Sequence, residues 1–119
     1  RTMSERHLLL HTAEGERVVV DPLDVYLLEA DGDSTRVRRA SATELVDIRE
    51  LGQVAPAFER HGFIQVHREF VVNLRRVGLI RRRDVGRDWE LRMAPPVNRV
   101  VPIARDRLDS LWAAFEQPK

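Results

Sequence analysis

Turn signals recur about every ten residues along this chain, and most of them separate two short β-prone runs. Glycine lies in the Ala13-Glu14-Gly15-Glu16, Asp31-Gly32-Asp33 and Val85-Gly86-Arg87 connections. The predicted hairpins pair residues 7–11 with 17–21, 25–30 with 34–39, and 79–84 with 88–93, and a further strand covers 99–103. Short strands joined by tight turns pair antiparallel, so the sequence predicts a mainly β fold of compact antiparallel hairpin sheets.

Helical signals are confined to two regions. Ser41-Ala42-Thr43-Glu44 matches a capping box, which predicts a helix from there to about Leu51, and a second short helix is predicted over 53–60. The residues predicted to face the core from these helices are Leu45, Ile48, Leu51 and Phe58. Residues 104–115 place apolar side chains at helical spacing, which predicts a C-terminal amphipathic helix.

Length and composition favour a single small domain. With 119 residues, 43% of them hydrophobic, the chain can fill one core, and we expect one domain over 6–117 after a disordered end or expression remnant at 1–5. No apolar run approaches the roughly 18 residues of a membrane helix, so a cytoplasmic protein is expected.

Residue types argue against an enzyme and against a cofactor. The chain has no cysteine, and its four histidines lack the partners of a structural zinc site. No serine, cysteine or carboxylate pair has a spacing that would assemble a hydrolytic site around His11, His61 or His67. We therefore expect no catalysis, no metal and no cofactor.

The net charge of +1 hides an asymmetry along the chain. Residues 1–58 carry a net charge of −4, residues 59–107 carry +6, and residues 108–119 carry −1. A cationic region attached to an acidic one is expected when one surface meets a polyanion. Nearly all of the basic residues are arginine, whose planar fork suits bidentate contacts.

The segment 63–77 follows neither a helical nor a strand period. It reads Phe-Ile-Gln-Val-His-Arg-Glu-Phe-Val-Val-Asn-Leu-Arg-Arg-Val. Broken periodicity with apolar anchors predicts a structured loop that presents side chains to a partner. Its presented groups are His67, Arg68, Asn73, Arg75 and Arg76. Their N–H donors suit phosphate oxygens and the acceptor edge of guanine.

Three stretches, taken in order, resemble the LytTR family of bacterial DNA-binding domains. These are residues 24–33 (DVYLLEADGD), residues 63–74 (FIQVHREFVVNL, with Glu69 where the family usually has serine) and residues 101–105 (VPIAR). The resemblance spans about Pro22 to Phe115. It implies an antiparallel β fold and sequence-specific binding of double-stranded DNA in transcription regulation, through loops that enter the major groove.

The family context carries further expectations about partners. The resemblance implies binding at direct or imperfect repeats in promoter DNA. Family members are commonly the output half of two-component response regulators, so an upstream receiver or sensor domain is expected, and a dimer on DNA stays open. The alternative is a non-enzymatic protein-interaction module of a signalling protein, whose arginines only confer solubility.

The resemblance also assigns base contacts. Arg68 and Arg105 match two base-contacting positions of the family. A third position falls near Thr35 and Arg36, and both are kept because alignment through a turn can slip by one residue. The alternatives are an ion pair of Arg68 with a neighbouring glutamate and a solvated Arg105.

The chemistry of the remaining donors predicts supporting roles. The predicted phosphate contacts are His67, Arg75, Arg76 and Arg38. An equally favoured role for His67 is a structural hydrogen bond within its own segment. Asn73 is expected to tie the segment to backbone groups rather than to touch DNA. Trp89 and Trp112 are expected to pack in the core, and the chain has too few aromatics for a single-strand binder.

Overall fold

The computed structural model describes residues 7–41 and 43–116, and within them it contains ten strands and two α-helices. The strands are β1 Leu8–Ala13, β2 Glu16–Val20, β3 Val25–Asp31, β4 Ser34–Arg39, β5 Leu45–Asp47, β6 Phe63–His67, β7 Phe70–Asn73, β8 Val77–Arg82, β9 Trp89–Met93 and β10 Val100–Ile103. The helices are α1 Leu51–Glu59 and α2 Leu108–Glu116, and short 3-10 turns occupy Pro22–Asp24, Leu74–Arg76 and Arg105–Arg107. The predicted mainly β class with a C-terminal helix is confirmed.

All strand pairs are antiparallel and form three sheets in the described part of the chain. The central sheet has the order β5-β4-β3-β7-β6, the second has the order β10-β9-β8, and the third is the β1-β2 hairpin. One buried cluster joins one face of the central sheet to α1 and the β1-β2 hairpin, through residues such as Leu28, Val71 and Phe58. A second cluster joins the other face to the β8-β10 sheet and α2, through Leu27 and Leu91 among others.

The segment 63–77 is not a loop, which corrects the sequence-based prediction. It forms β6, a two-residue turn at 68–69, β7 and a 3-10 turn. All four residues of β7 are buried, because β7 lies between β3 and β6 with a core cluster on each face. The ladder of β6 with β7 is irregular between Gln65 and His67, which leaves the fully buried Val66 outside the regular register. Burial on two faces and this irregularity together remove the alternation expected of a strand.

The helix predicted from residue 41 to Leu51 is also absent. Residues 45–47 form β5, which pairs with Thr35 to Val37 of β4, and Ile48 is 50% exposed rather than buried. Pairing with β4 supplies the backbone hydrogen bonds of the residues that were predicted to form a helix after the capping box. Ala42, the second residue of that box, lies outside the described residues. The second predicted helix does form, as α1, and Leu51 is buried in its first turn.

Most of the other local predictions agree with the structure. The three predicted hairpins form, and the strand near the C-terminus is β10. Helix α2 buries Leu111 fully, whereas Phe115 is 44% exposed. Trp89 contacts Trp112 edge-on with ring centroids 5.3 Å apart. Both side chains are half-buried rather than in the core as predicted, and Trp89 packs against the edge of the second cluster. No helix in the described ranges is long and apolar enough to cross a bilayer.

Candidate nucleic-acid interface

Four connections meet at one end of the domain, which we call the turn end. They are residues 32–33, 68–69, 83–88 and 104–107. The Ala30 N–H donates to the Glu69 carbonyl at 2.9 Å, which joins the first two connections. The Ala104 N–H donates to the Val66 carbonyl at 2.8 Å, which places residues 104–107 beside the β6-β7 turn. The 83–88 loop lies there too, since β9 starts opposite the end of β10.

Arg68 projects from the β6-β7 turn. Its side chain is exposed and makes no hydrogen bond, ion pair or ring contact with any residue that the structure describes. The ion pair with Glu69 or Glu59 that the sequence left open does not form. The backbone beneath Arg68 is held, because Gln65 donates to the Arg68 carbonyl at 3.4 Å. Arg68 therefore offers an uncommitted guanidinium on a fixed turn.

His67 shapes this turn. Its Nδ1 accepts a hydrogen bond from the Glu69 N–H at 3.1 Å, and its ring meets Phe70 edge-on at 5.7 Å. An imidazole whose Nδ1 accepts carries its proton on Nε2 in the neutral form. The structural role left open by the sequence is therefore present, and a phosphate contact by His67 would use Nε2.

Arg105 lies on the 3-10 turn that follows β10. Its side chain is 80% exposed, and its Nε donates to Asp88 Oδ1 at 2.9 Å. Arg105, Asp88 and His67 line one shallow cavity together with Arg83. Arg107 nearby donates to Gln65 Oε1 at 3.4 Å. Two of the predicted DNA-contacting residues, His67 and Arg105, are therefore brought together, next to the turn that carries Arg68.

Residue Thr35 does not fit the predicted base contact. Its side chain is fully buried, and its hydroxyl donates to the Arg49 carbonyl at 2.8 Å. A group with no exposed surface cannot touch a base, so this prediction is corrected. Arg36 follows on the exposed side of β4, where its Nε lies 3.0 Å from Asp31 Oδ2. Arg38, two residues on, shares that sheet face, because side chains two residues apart on a strand point the same way.

Arg75 and Arg76 lie at the opposite end of the domain, which we call the far end. They follow β7, whereas Arg68 precedes it, and a four-residue strand is roughly 10 Å long. Arg76 donates through Nε and Nη2 to the Leu23 carbonyl at 3.2 and 2.9 Å, and lies 5.1 Å from the centre of the Tyr26 ring. The two arginines predicted to contact phosphates therefore lie at the end of β7 away from Arg68.

Arg75 is exposed and lines a cleft at the far end. The other charged or titratable residues of this cleft are Asp21, Arg60 and His61. The side chain of Arg75 has no hydrogen bond or ion pair with any described residue, and its backbone N–H donates to Asn73 Oδ1 at 3.0 Å. Arg75 can thus serve as a matched control for Arg68.

Asn73 has the structural role predicted for it. It is 1% exposed, its Nδ2 donates to the Val25 carbonyl at 2.9 Å, and its Oδ1 caps the 3-10 turn through the Arg75 N–H. These bonds tie the end of β7 to the start of β3. Asn73 is therefore part of the scaffold.

Asp47 is a buried charge that the sequence reasoning missed. Its carboxylate is fully buried and accepts from Arg49 Nε at 3.0 Å and Nη2 at 2.9 Å. It also accepts the backbone N–H groups of Arg49 and His11, each at 2.9 Å. Burial raises the pKa of the Asp47 carboxyl, but these hydrogen bonds outweigh burial and hold the pKa below its ordinary value.

The fold and the arginine-bearing turns define a β-sheet DNA-binding domain rather than a helical reader. The family model described as the LytTr DNA-binding domain matches residues 15–116. The chain belongs to the LytTR family. Membership makes DNA binding in transcription regulation its function, and the family is a DNA-binding rather than a catalytic one.

A solved structure has a similar fold. It is described as the LytTr DNA-binding domain of a methyl-accepting/DNA response regulator from Bacillus cereus, and it superposes with a TM-score of 0.72. The two sequences are 21% identical, and the match covers 93% of this chain and 97% of that chain. This similarity shows the fold alone. The search of curated proteins found no significant match.

Proposed function

We propose that this domain recognises a specific sequence in double-stranded promoter DNA through its turn end, with Arg68 and Arg105 reading bases in the major groove. The observation that carries this proposal is the free guanidinium of Arg68 on a two-residue turn. A two-stranded ribbon fits the roughly 12 Å wide major groove, and an arginine fork matches guanine N7 and O6.

Arg105 supplies the second base contact. Its terminal nitrogens have no hydrogen-bond partner among the described residues, because the ion pair with Asp88 uses Nε. The Ala104 to Val66 backbone bond links the segment that carries Arg105 to the β6-β7 turn that carries Arg68. A fixed spacing between the backbones of two readers favours recognition of a defined sequence over non-specific binding.

Phosphate contacts would surround these readers. Arg36 and the Nε2 of His67 are available for this role, and Arg83 and Arg107 lie on the same end of the domain. Arg38 pairs with Leu27, four residues along β4 from Ser34, and therefore lies toward the far end. Contacts of this kind set the position of a protein on the duplex without reading its sequence. Arg75 and Arg76 are left out, because a duplex at the turn end lies on the other side of β7.

We also infer the regulatory setting from the family. The domain acts in the cytoplasm as the output part of a transcription regulator, under the control of a receiver or sensor domain. Its sites are direct or imperfect repeats, and two copies bind a site together.

Replacing Arg68 with alanine is expected to weaken binding to the specific site by about 1–3 kcal/mol, because a bidentate contact to guanine is lost. Binding to a scrambled duplex should weaken much less. The specific duplex is obtained by letting the protein select from random-sequence DNA, and both affinities are measured by fluorescence anisotropy. Arg75→Ala removes the same charge from the far end and is the matched control. Equal losses on both duplexes would show that Arg68 does not read bases.

A further inference from the structure

The contact between Asp88 and Arg105 joins a negative charge to a proposed base reader. The side chains are 43% and 80% exposed, and exposed ion pairs contribute little to stability. A carboxylate at a DNA-facing surface also repels phosphates. Asp88 therefore contributes little to the stability of the fold. Its removal should increase the affinity for DNA, unless Asp88 helps Arg105 to bind.

The geometry leaves the reading edge of Arg105 open. Asp88 Oδ1 takes the Nε–H at 2.9 Å, which leaves the N–H groups of the two terminal nitrogens directed away from Asp88. These terminal groups form the fork that matches the two acceptors of guanine. A guanidinium fixed through Nε loses less conformational freedom when it meets a base, because the arginine has many rotamers to lose.

Both partners stand on fixed backbone. The Asp88 carbonyl accepts the Arg83 N–H at 2.8 Å, and Asp88 directly precedes Trp89, the first residue of β9. Arg105 directly follows Ala104, whose N–H is bonded to Val66. The ion pair therefore connects two anchored points rather than two mobile loops.

The same arrangement occurs at Arg36, another predicted base contact. Its Nε lies 3.0 Å from Asp31 Oδ2, on the strand next to it. Asp31 is the last residue of β3 and Asp88 belongs to the 83–88 connection, so the repeated use of Nε is not a consequence of one loop conformation.

We propose that Asp88 is a positioning residue that holds the Arg105 fork in the orientation needed to read guanine. This inference rests on the proposed function, because it assigns Asp88 a role only through Arg105. Asp88 contributes specificity and costs non-specific affinity. Its removal should therefore change the two affinities in opposite directions.

The test compares Asp88→Ala with Asp106→Ala. Asp106 is an exposed neighbour of Arg105 whose side chain has no partner among the described residues, so its removal deletes the same charge without the pairing. Affinities are measured for the selected duplex and for a scrambled duplex. Both variants should bind the scrambled duplex somewhat more tightly. Only Asp88→Ala should lower the ratio of specific to scrambled affinity, by about fivefold or more, as part of the discrimination that a bidentate contact supplies.

The Arg105→Ala background separates the possible outcomes. If Asp88 acts through Arg105, Asp88→Ala should leave the affinity ratio unchanged once Arg105 is gone, and the thermal unfolding midpoint of Asp88→Ala should equal that of the wild type. A ratio that falls equally in both backgrounds, or equally for Asp106→Ala, overturns the positioning role. If Arg105→Ala lowers the ratio and Asp88→Ala does not, the base contact stands and only the role of Asp88 is wrong. If Arg105→Ala leaves the ratio unchanged, the proposed function of Arg105 is wrong as well.

Discussion

Replacing Asp47 with alanine is expected to lower the free energy of unfolding by about 3 kcal/mol, because it removes a buried carboxylate and leaves the groups that donate to it without an acceptor. The guanidinium of Arg49 loses its two acceptors, and the backbone N–H groups of His11 and Arg49 lose theirs. Those bonds connect β1 to the end of β5. The measurement is urea unfolding followed by circular dichroism.

The control for this prediction is Asp33→Ala, which removes an exposed carboxylate from the β3-β4 turn. We expect it to change stability by less than about 0.5 kcal/mol, as surface substitutions usually do. A second variant, Asp47→Ala with Arg49→Ala, should recover part of the loss by removing the uncompensated guanidinium. If Asp47→Ala is no more destabilising than Asp33→Ala, the Asp47 network does not hold β1 and β5 together.

The lowered pKa of the Asp47 carboxyl predicts that the stability of the domain depends on pH. The folded-state pKa of Asp47 is lower than the unfolded-state pKa, so its contribution is fully present above the unfolded value. That contribution is lost as the pH falls through the folded value, which confines the loss to acid solution. Wild type should therefore lose more stability than Asp47→Asn between neutral pH and about pH 3. Parallel pH profiles for the two proteins in urea unfolding would contradict this assignment.

The affinity for the selected duplex should fall by about 10²–10³-fold between 50 and 200 mM salt, if about four to six phosphates are neutralised. The arginines of the turn end release condensed counterions from DNA, and the logarithm of the binding constant then falls linearly with the logarithm of the salt concentration. Fluorescence anisotropy titrations at several salt concentrations give the slope. This is the largest effect expected on binding.

Variants identify which arginines contribute to that slope. Arg83→Gln should lower its magnitude by about one, since one phosphate contact at the turn end is removed. Arg75→Gln removes the same charge at the far end and should leave the slope unchanged. An affinity that is equal at both salt concentrations would exclude DNA as the partner of this surface.

Local features of the fold could be predicted because their causes lie close together in the sequence. Gly32 and Gly86 mark turns between β-prone runs, and both adopt positive φ angles of 60° and 85° in those turns. The C-terminal helix could be predicted from its apolar spacing in the same way. Segment 63–77 could not, because its lack of alternation comes from a core cluster on each face of β7, and both clusters are built from residues distant in sequence.

For the candidate site, too, the sequence could predict only what depends on local features. Motif resemblance identified Arg68 and Arg105, but it could not show that Arg75 and Arg76 lie beyond the other end of a strand. Thr35 was predicted as a contact alongside Arg36 because an alignment through a turn can slip by one residue, and the sequence does not show which of the two is exposed. Asp47 was missed because the helix predicted over its segment would have left it solvated, whereas strand pairing buries it.

We propose that the turn end, and not the far end, meets DNA. Backbone amide chemical shifts of the ¹⁵N-labelled domain, recorded with and without the selected duplex, test this placement directly. We expect the largest changes at residues 66–69, 83–88 and 104–107, and little change at residues 21–24, 60–62 and 74–76. The largest changes at the far end, with the turn end unaffected, would contradict it.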